Sequence, residues 1–162
     1  MKRPLIVGVM GGGRIDAETM SLAYQLGALI AQQGWILLNG GRNSGVMEAS
    51  AKGAADQKGL TVGILPDDSP AQASPHVRIP ICTGMGSARN MINVLSSDVV
   101  VACQGGAGTV SEVALALKHE KTVITLSFPT GDLFGAYRQT GRLMEAATPQ
   151  QVVEKIHDLF PG

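Results

Sequence analysis

Three times in this chain a short apolar run ends in a cluster of glycines and gives way to a helical pattern. The junctions are Gly11-Gly12-Gly13, Gly40-Gly41-Arg42-Asn43-Ser44-Gly45 and Gly105-Gly106-Ala107-Gly108-Thr109. The third is the clearest. Val99 to Cys103 is a continuous, mostly β-branched apolar run, the pattern of a strand covered on both faces. Glycines 105, 106 and 108 let the backbone turn tightly and approach a ligand closely. A helix starting there aims its unpaired N–H groups and positive dipole end into the turn, which suits an anion.

The rest of the chain repeats this alternation. Strands are expected at Leu5 to Met10, Trp35 to Asn39, Leu60 to Leu65, Val77 to Thr83 and Lys121 to Ser127, with a short one at Arg142 to Ala146. Pro80 confines its strand to an edge or a bulge. Asp16 is placed to cap the first helix, whose buried stripe is Ala23, Leu26, Gly27 and Ile30. Gly34 ends it as a C′ glycine. A second helix runs from about Ser44 to Lys58, with Ala49, Ser50, Gly53 and Ala54 expected to face the sheet and Gly59 to stop it. Residues 66–75 read as a mobile loop rich in turn formers. Further helices are expected at about 87–96, from the third junction to about His119 with Val110, Val113, Ala114 and Leu117 buried, and after Thr148-Pro149, an N-cap followed by proline. Residues 1–162 therefore read as one α/β domain: a single doubly wound, mainly parallel sheet of about seven strands with helices on both faces, Rossmann-like.

Charge narrows the function. Lys plus Arg equals Asp plus Glu, at 13 each, so no electrostatic footprint for nucleic acid or an acidic membrane exists. No apolar run approaches the ~20 residues of a membrane helix, and the chain reads as cytoplasmic. Cys82 and Cys103 sit in apolar runs with no metal-knuckle spacing, and Cys103 reads as buried and inert. His76, His119 and His157 read as surface residues.

In a sheet of this kind ligands bind beyond the carboxyl ends of the strands, where the strand order reverses. All three glycine junctions fall at strand ends, so all three open on one edge. The residues expected to hold an anionic ligand are Gly11, Gly12, Gly13, Gly40, Gly41, Arg42, Ser44, Gly45, Gly105, Gly106, Gly108 and Thr109, with Arg42 as a bidentate clamp. No phosphate-loop motif G-x-x-x-x-G-K-[ST] occurs, and the first turn is not G-x-G-x-x-G. The second strand ends in Asn39 rather than the acid a dinucleotide enzyme uses for ribose. Arg14 and Arg89 are further cations near the edge. Glu112 has two readings. Either Thr109 caps a helix and Glu112 reaches back in a capping box, or Glu112 faces the ligand as a base or hydroxyl acceptor.

Gly40-Gly41-Arg42-Asn43-Ser44-Gly45-Val46-Met47-Glu48, followed by Gln104-Gly105-Gly106-Ala107-Gly108-Thr109-Val110-Ser111-Glu112, resembles the superfamily of the Lonely Guy phosphoribohydrolases, long misnamed lysine decarboxylases. That family's second motif is P-G-G-x-G-T-x-x-E. Within the superfamily the chain looks most like the molybdenum cofactor carrier proteins. Gln104 replaces the motif's proline, and Arg89-Asn90 stands where the hydrolases carry Arg-Lys. The resemblance implies binding and protection of phosphorylated molybdenum cofactor (molybdopterin), with molybdate or tungstate as further candidates for the same anion sites. It also implies a homodimer or homotetramer and delivery to cofactor-receiving molybdoenzymes. The alternative it implies is a nucleoside 5′-monophosphate phosphoribohydrolase using Arg89 and Glu112. The fold also resembles the DNA-processing protein A group, a reading the neutral charge balance does not support. Against this background Glu112 reads first as a helix cap and second as a catalyst.

Overall fold

The computed structural model describes residues 3–161. Seven parallel strands form one sheet in the order β4-β3-β2-β1-β5-β6-β7. They are β1 (Ile6–Met10), β2 (Ile36–Asn39), β3 (Thr61–Leu65), β4 (Ile79–Cys82), β5 (Val99–Ala102), β6 (Thr122–Leu126) and β7 (Leu143–Ala146). The chain builds outward from β1 to β4, returns across the sheet to β5, and then builds the other way. The order therefore reverses between β1 and β5, which pair in register from Val7–Val99 to Met10–Ala102.

The helices are α1 (Ala17–Gln32), α2 (Gly45–Asp56), α3 (Arg89–Ser96), α4 (Ala107–Lys118), α5 (Gly135–Gln139) and α6 (Pro149–Leu159). One core layer holds Leu26 and Ile30 of α1, Val46 of α2 and Val152 and Ile156 of α6, with Val99 and Val101 beneath them. The other holds Val94 of α3 and Val113, Ala116 and Leu117 of α4, with Val100 and Ala102 beneath. Successive β5 side chains thus feed opposite layers, which is why its sequence is apolar without alternation.

Several boundaries follow from local chemistry. Asp16 Oδ1 accepts from Thr19 N at 2.7 Å and caps α1, and Gly34 follows that helix at φ 72°. Thr148 caps α6 by accepting from Gln151 N, with Pro149 as the first helical residue. Pro80 lies in the edge strand β4, all of whose residues are exposed.

Other expectations need correction. The small residues of α2 serve α1 more than the sheet: a Cβ on Gly27 would strike the Ser50 carbonyl, and one on Gly53 the Tyr24 carbonyl. Glycine lets the two helix backbones touch. Helix α2 ends at Asp56, and Lys58, not Gly59, takes the left-handed φ of 60°. The 66–75 loop is stitched to the second glycine turn by Asn43 N–H to Gln72 O, at 3.0 Å, and Ser74 N–H to Gly41 O, at 2.8 Å. It also carries a short 3-10 turn at Pro70–Gln72. The five-residue α5 has no counterpart in the sequence reading, being too short to register a helical period.

Candidate functional site

The three glycine turns meet at the carboxyl end of the sheet around a cavity of about 530 Å³. Gly11, Gly12 and Gly13 follow β1, Gly40, Arg42 and Ser44 follow β2, and Gly106, Gly108 and Thr109 open α4. Met10 and Met47 supply thioether walls, and Arg89, Asn90 and Glu112 close the far side. The cavity lies beside the β1–β5 reversal, where open α/β sheets place their ligands.

The turns are not equivalent. Gly12 N–H donates to Gln104 O and Gly12 O accepts from Val46 N, both at 3.0 Å, so the first turn is tied to the other two. Gly41 and Gly45 sit at φ 80° and 54°, and neither lines the cavity. A Cβ on Gly45 would strike Gly12 O, and one on Gly105 the Thr109 hydroxyl. These three glycines let backbones pack, while the lining glycines leave the cavity floor bare.

Helix α4 begins earlier than a Thr109 cap would require. Gly106 is its N-cap, no side chain caps it, and its first bond runs from Val110 N–H to Gly106 O. The N–H groups of Ala107, Gly108 and Thr109 therefore have no partner within the helix. The capping box is overturned: a glycine N-cap starts the helix early, and Thr109 and Glu112 land on its inner face. The buried stripe is Thr109, Glu112, Val113, Ala116 and Leu117, while Val110 is half-buried and Ala114 is exposed. Glu112, only 7% exposed, accepts from Asn93 Nδ2 at 3.2 Å. Burial pushes its carboxyl up to about 7, against the opposing pull of the Asn93 hydrogen bond and Arg89.

The two arginines are held by different groups. Arg42 Nη2 donates to Asp67 Oδ1 at 2.7 Å, so the expected clamp is shared with a carboxylate of the following loop. Arg89 opens α3, where a cation opposes the helix dipole. Its Nη1 donates to the carbonyls of Gly40 and Ile64, at the carboxyl ends of β2 and β3. Burial lowers its pKa, and Glu112 pulls the other way. Among the described residues, buried side-chain atoms without a partner are Arg42 Nε, Asp67 Oδ2, Arg89 Nε, Asn93 Oδ1 and Glu48 Oε2. All but the last belong to groups lining the cavity or bonded to its lining. Arg14 is exposed and stands outside it.

Sequence reasoning missed Asp67 and Asn93. Asp67 lay in a stretch read as a plain loop. Asn93 is hidden among the apolar residues of α3; the one signal in the sequence is an asparagine a turn after Arg89, between Ile92 and Val94, and its full burial is seen only in the fold. Cys103 is buried and its thiol pushed up to about 12, so it stays protonated. His76 is partly buried and its Nδ1 lies 2.8 Å from Glu48 Oε1, unlike the exposed His119 and His157. Among the described residues no three or more His, Cys, Asp or Glu side chains are grouped to hold a metal.

A parallel Rossmann-like sheet with a glycine-lined cleft at the strand-order reversal defines the class of this protein. Within that class, the chain belongs to the SLOG cluster4 family, whose model matches residues 4–153. The chain is 48% identical to the molybdenum cofactor binding protein of Rippkaea orientalis, over 98% of this chain and 99% of that one, with a TM-score of 0.92. It is 41% identical to the molybdenum cofactor carrier protein of Chlamydomonas reinhardtii, over 99% and 100% of the two chains, with a TM-score of 0.90. A stretch of 99 residues is 34% identical to a cytokinin riboside 5′-monophosphate phosphoribohydrolase of Mycobacterium tuberculosis, covering 60% of this chain and 53% of that relative.

Proposed function

We propose that this protein binds the phosphorylated molybdenum cofactor and stores or carries it. The observation that carries this reading is the cavity itself: unpaired N–H groups at the start of α4 beside two guanidinium groups whose Nε atoms lack partners. Its high similarity to carrier proteins over the full chain supports the same reading. The residues fit the group. Gly108 and Thr109 N–H in the lining, with Ala107 N–H beside them at the helix start, would hold a terminal phosphate, with Arg42, Ser44 and the Thr109 hydroxyl adding contacts. Met10 and Met47 would pack against a flat ring. The cofactor's own sulfurs would carry the metal. Molybdate or tungstate would use the same donors.

The hydrolase is the second reading, because Arg89 and Glu112 share the cavity. Against it, Arg89 is turned onto two carbonyls and Glu112 onto Asn93. Self-association belongs to the proposal too. Ile79 and Ile81 of β4, Met85 of the turn that follows and Leu95 of α3 are exposed apolar side chains, a surface suited to a second copy. Among the described residues no helix is long and apolar enough to cross a membrane, and a cytoplasmic location with delivery to molybdoenzymes completes the reading.

The test is purification without oxygen from a host that makes the cofactor, followed by molybdenum and pterin analysis. Stoichiometric pterin is expected. Absence of both pterin and molybdenum would overturn the carrier reading. Release of adenine from AMP that disappears in Glu112→Ala would establish the hydrolase instead.

A further inference from the structure

We propose that Glu112 reads the ring edge of the ligand, its carboxylate accepting N–H groups from a cyclic guanidine: the 2-amino-4-oxo pyrimidine edge of a pterin. This rests on the carrier reading and names what fixes its specificity.

Position on α4 comes first. Thr109 and Glu112 share the inner face of the helix and both line the cavity. The unpaired N–H groups lie at the helix start, and Glu112 is attached about 4.5 Å further along the axis than Thr109. A phosphate on those N–H groups leaves the carboxyl to a different part of the ligand. Two like charges side by side in a poorly hydrated cleft repel, so the carboxylate is matched to donors rather than to the phosphate.

The carboxyl is also prepared for that task. Asn93, fully buried, fixes Oε1 through its Nδ2. Oε2 has no hydrogen-bond partner among the described residues, and Glu112 lines the cavity. An ionised carboxylate accepts only, and its two oxygens match the paired N–H groups of a guanidine-like edge. Adenine presents one amino group beside a ring nitrogen that is itself an acceptor, so it leaves one carboxylate oxygen facing a lone pair.

Proton linkage separates this role from a phosphate contact. Arg89 of α3 faces Glu112, with Arg42 and Asp67 beyond it on the second turn and the following loop. Burial holds the carboxyl at about 7, so near neutrality both forms are populated. Accepting guanidine N–H groups requires the ionised form and releases a proton. Donating to a phosphate requires the protonated form and takes one up.

The experiment is calorimetric titration of the full chain with a metal-free pterin monophosphate, its 2-deamino counterpart and inorganic phosphate. Wild-type protein is expected to bind the pterin at least about tenfold tighter than the deamino compound, with proton release at pH 6. Glu112→Gln should bring the two within about twofold, cut the proton release to the share that the phosphate itself gives up, and leave phosphate affinity unchanged. Equal wild-type affinity for the two pterins, proton uptake, or a variant that still discriminates overturns the ring-edge role alone. Phosphate binding with neither pterin bound overturns it together with the cofactor reading. The wild-type comparison decides the matter even if the variant fails to fold.

Discussion

Glu112 is the residue on which charge, packing and ligand chemistry converge. Its folded-state pKa of about 7 stands above the ordinary 4.5, so between those values the folded chain keeps a proton that the unfolded chain has lost. Stability from this group is therefore full below about 4.5 and falls as pH rises toward 7. Glu112→Gln should leave the denaturant midpoint unchanged near pH 4 and raise stability above pH 7, by on the order of 3 kcal/mol. Urea titrations at pH 5 and pH 8 check this, and an equal effect at both would refute it. Gly40 makes the complementary case. A Cβ there would lie 2.5 Å from Arg89 Nη1 and 2.6 Å from Met47 Sδ, both ends of flexible side chains. Gly40→Ala should cost only ~1 kcal/mol of stability yet weaken phosphate binding roughly tenfold by pushing the Arg89 and Met47 side chains into the cavity that both line. Thermal melting and titration with phosphate, run on one sample, separate the two effects.

At the scale of elements, helices α1 and α2 are packed backbone against backbone. Gly27 and Gly53 set backbone against backbone, where no flexible side chain can yield. Gly27→Ala would gain about 1 kcal/mol of helix propensity in an isolated helix. Here it should instead destabilise by ~3 kcal/mol, because the helices must separate. A denaturation midpoint at or above wild type would contradict this. The same contact explains why the small face of α2 is only partly toward the sheet: Ser50 bonds Asn39 of β2 and Ala49 and Ala54 join the core, while Gly53 meets α1. Small residues signal close approach, but they do not say whether a sheet or a helix approaches.

For the whole molecule, the site joins the halves of the sheet. Turns after β1 and β2 come from one half, and α4 follows β5 in the other, so a ligand between them ties both together. A ligand that binds only the folded chain stabilises it by mass action, by ~2.7 kcal/mol at a hundredfold excess over Kd. For a chain of this length that corresponds to a rise in melting temperature of roughly 5–10 °C. Melting curves with added cofactor test this, and no rise at high cofactor concentration would mean that the folded chain does not bind it.

The alternation of elements, the seven strands, most caps and the gathering of three glycine turns on one edge are all legible in the order of residues. These are local properties: side-chain period, turn chemistry and the direction of parallel strands. Pro80 even narrowed β4 to the rim or a bulge, because a residue without an N–H cannot serve a central strand, and the strand is at the rim. Long-range packing settles the strand order and which glycines face the cavity rather than a neighbouring backbone. It alone set Arg42 against Asp67 and Arg89 against two carbonyls. It also decided Glu112. A spacing of three between Thr109 and Glu112 fits both a cap and a shared inner face. Where α4 begins chooses between them, and that start is fixed by Gly106 and the turn docked on Gly12, contacts made across the sheet.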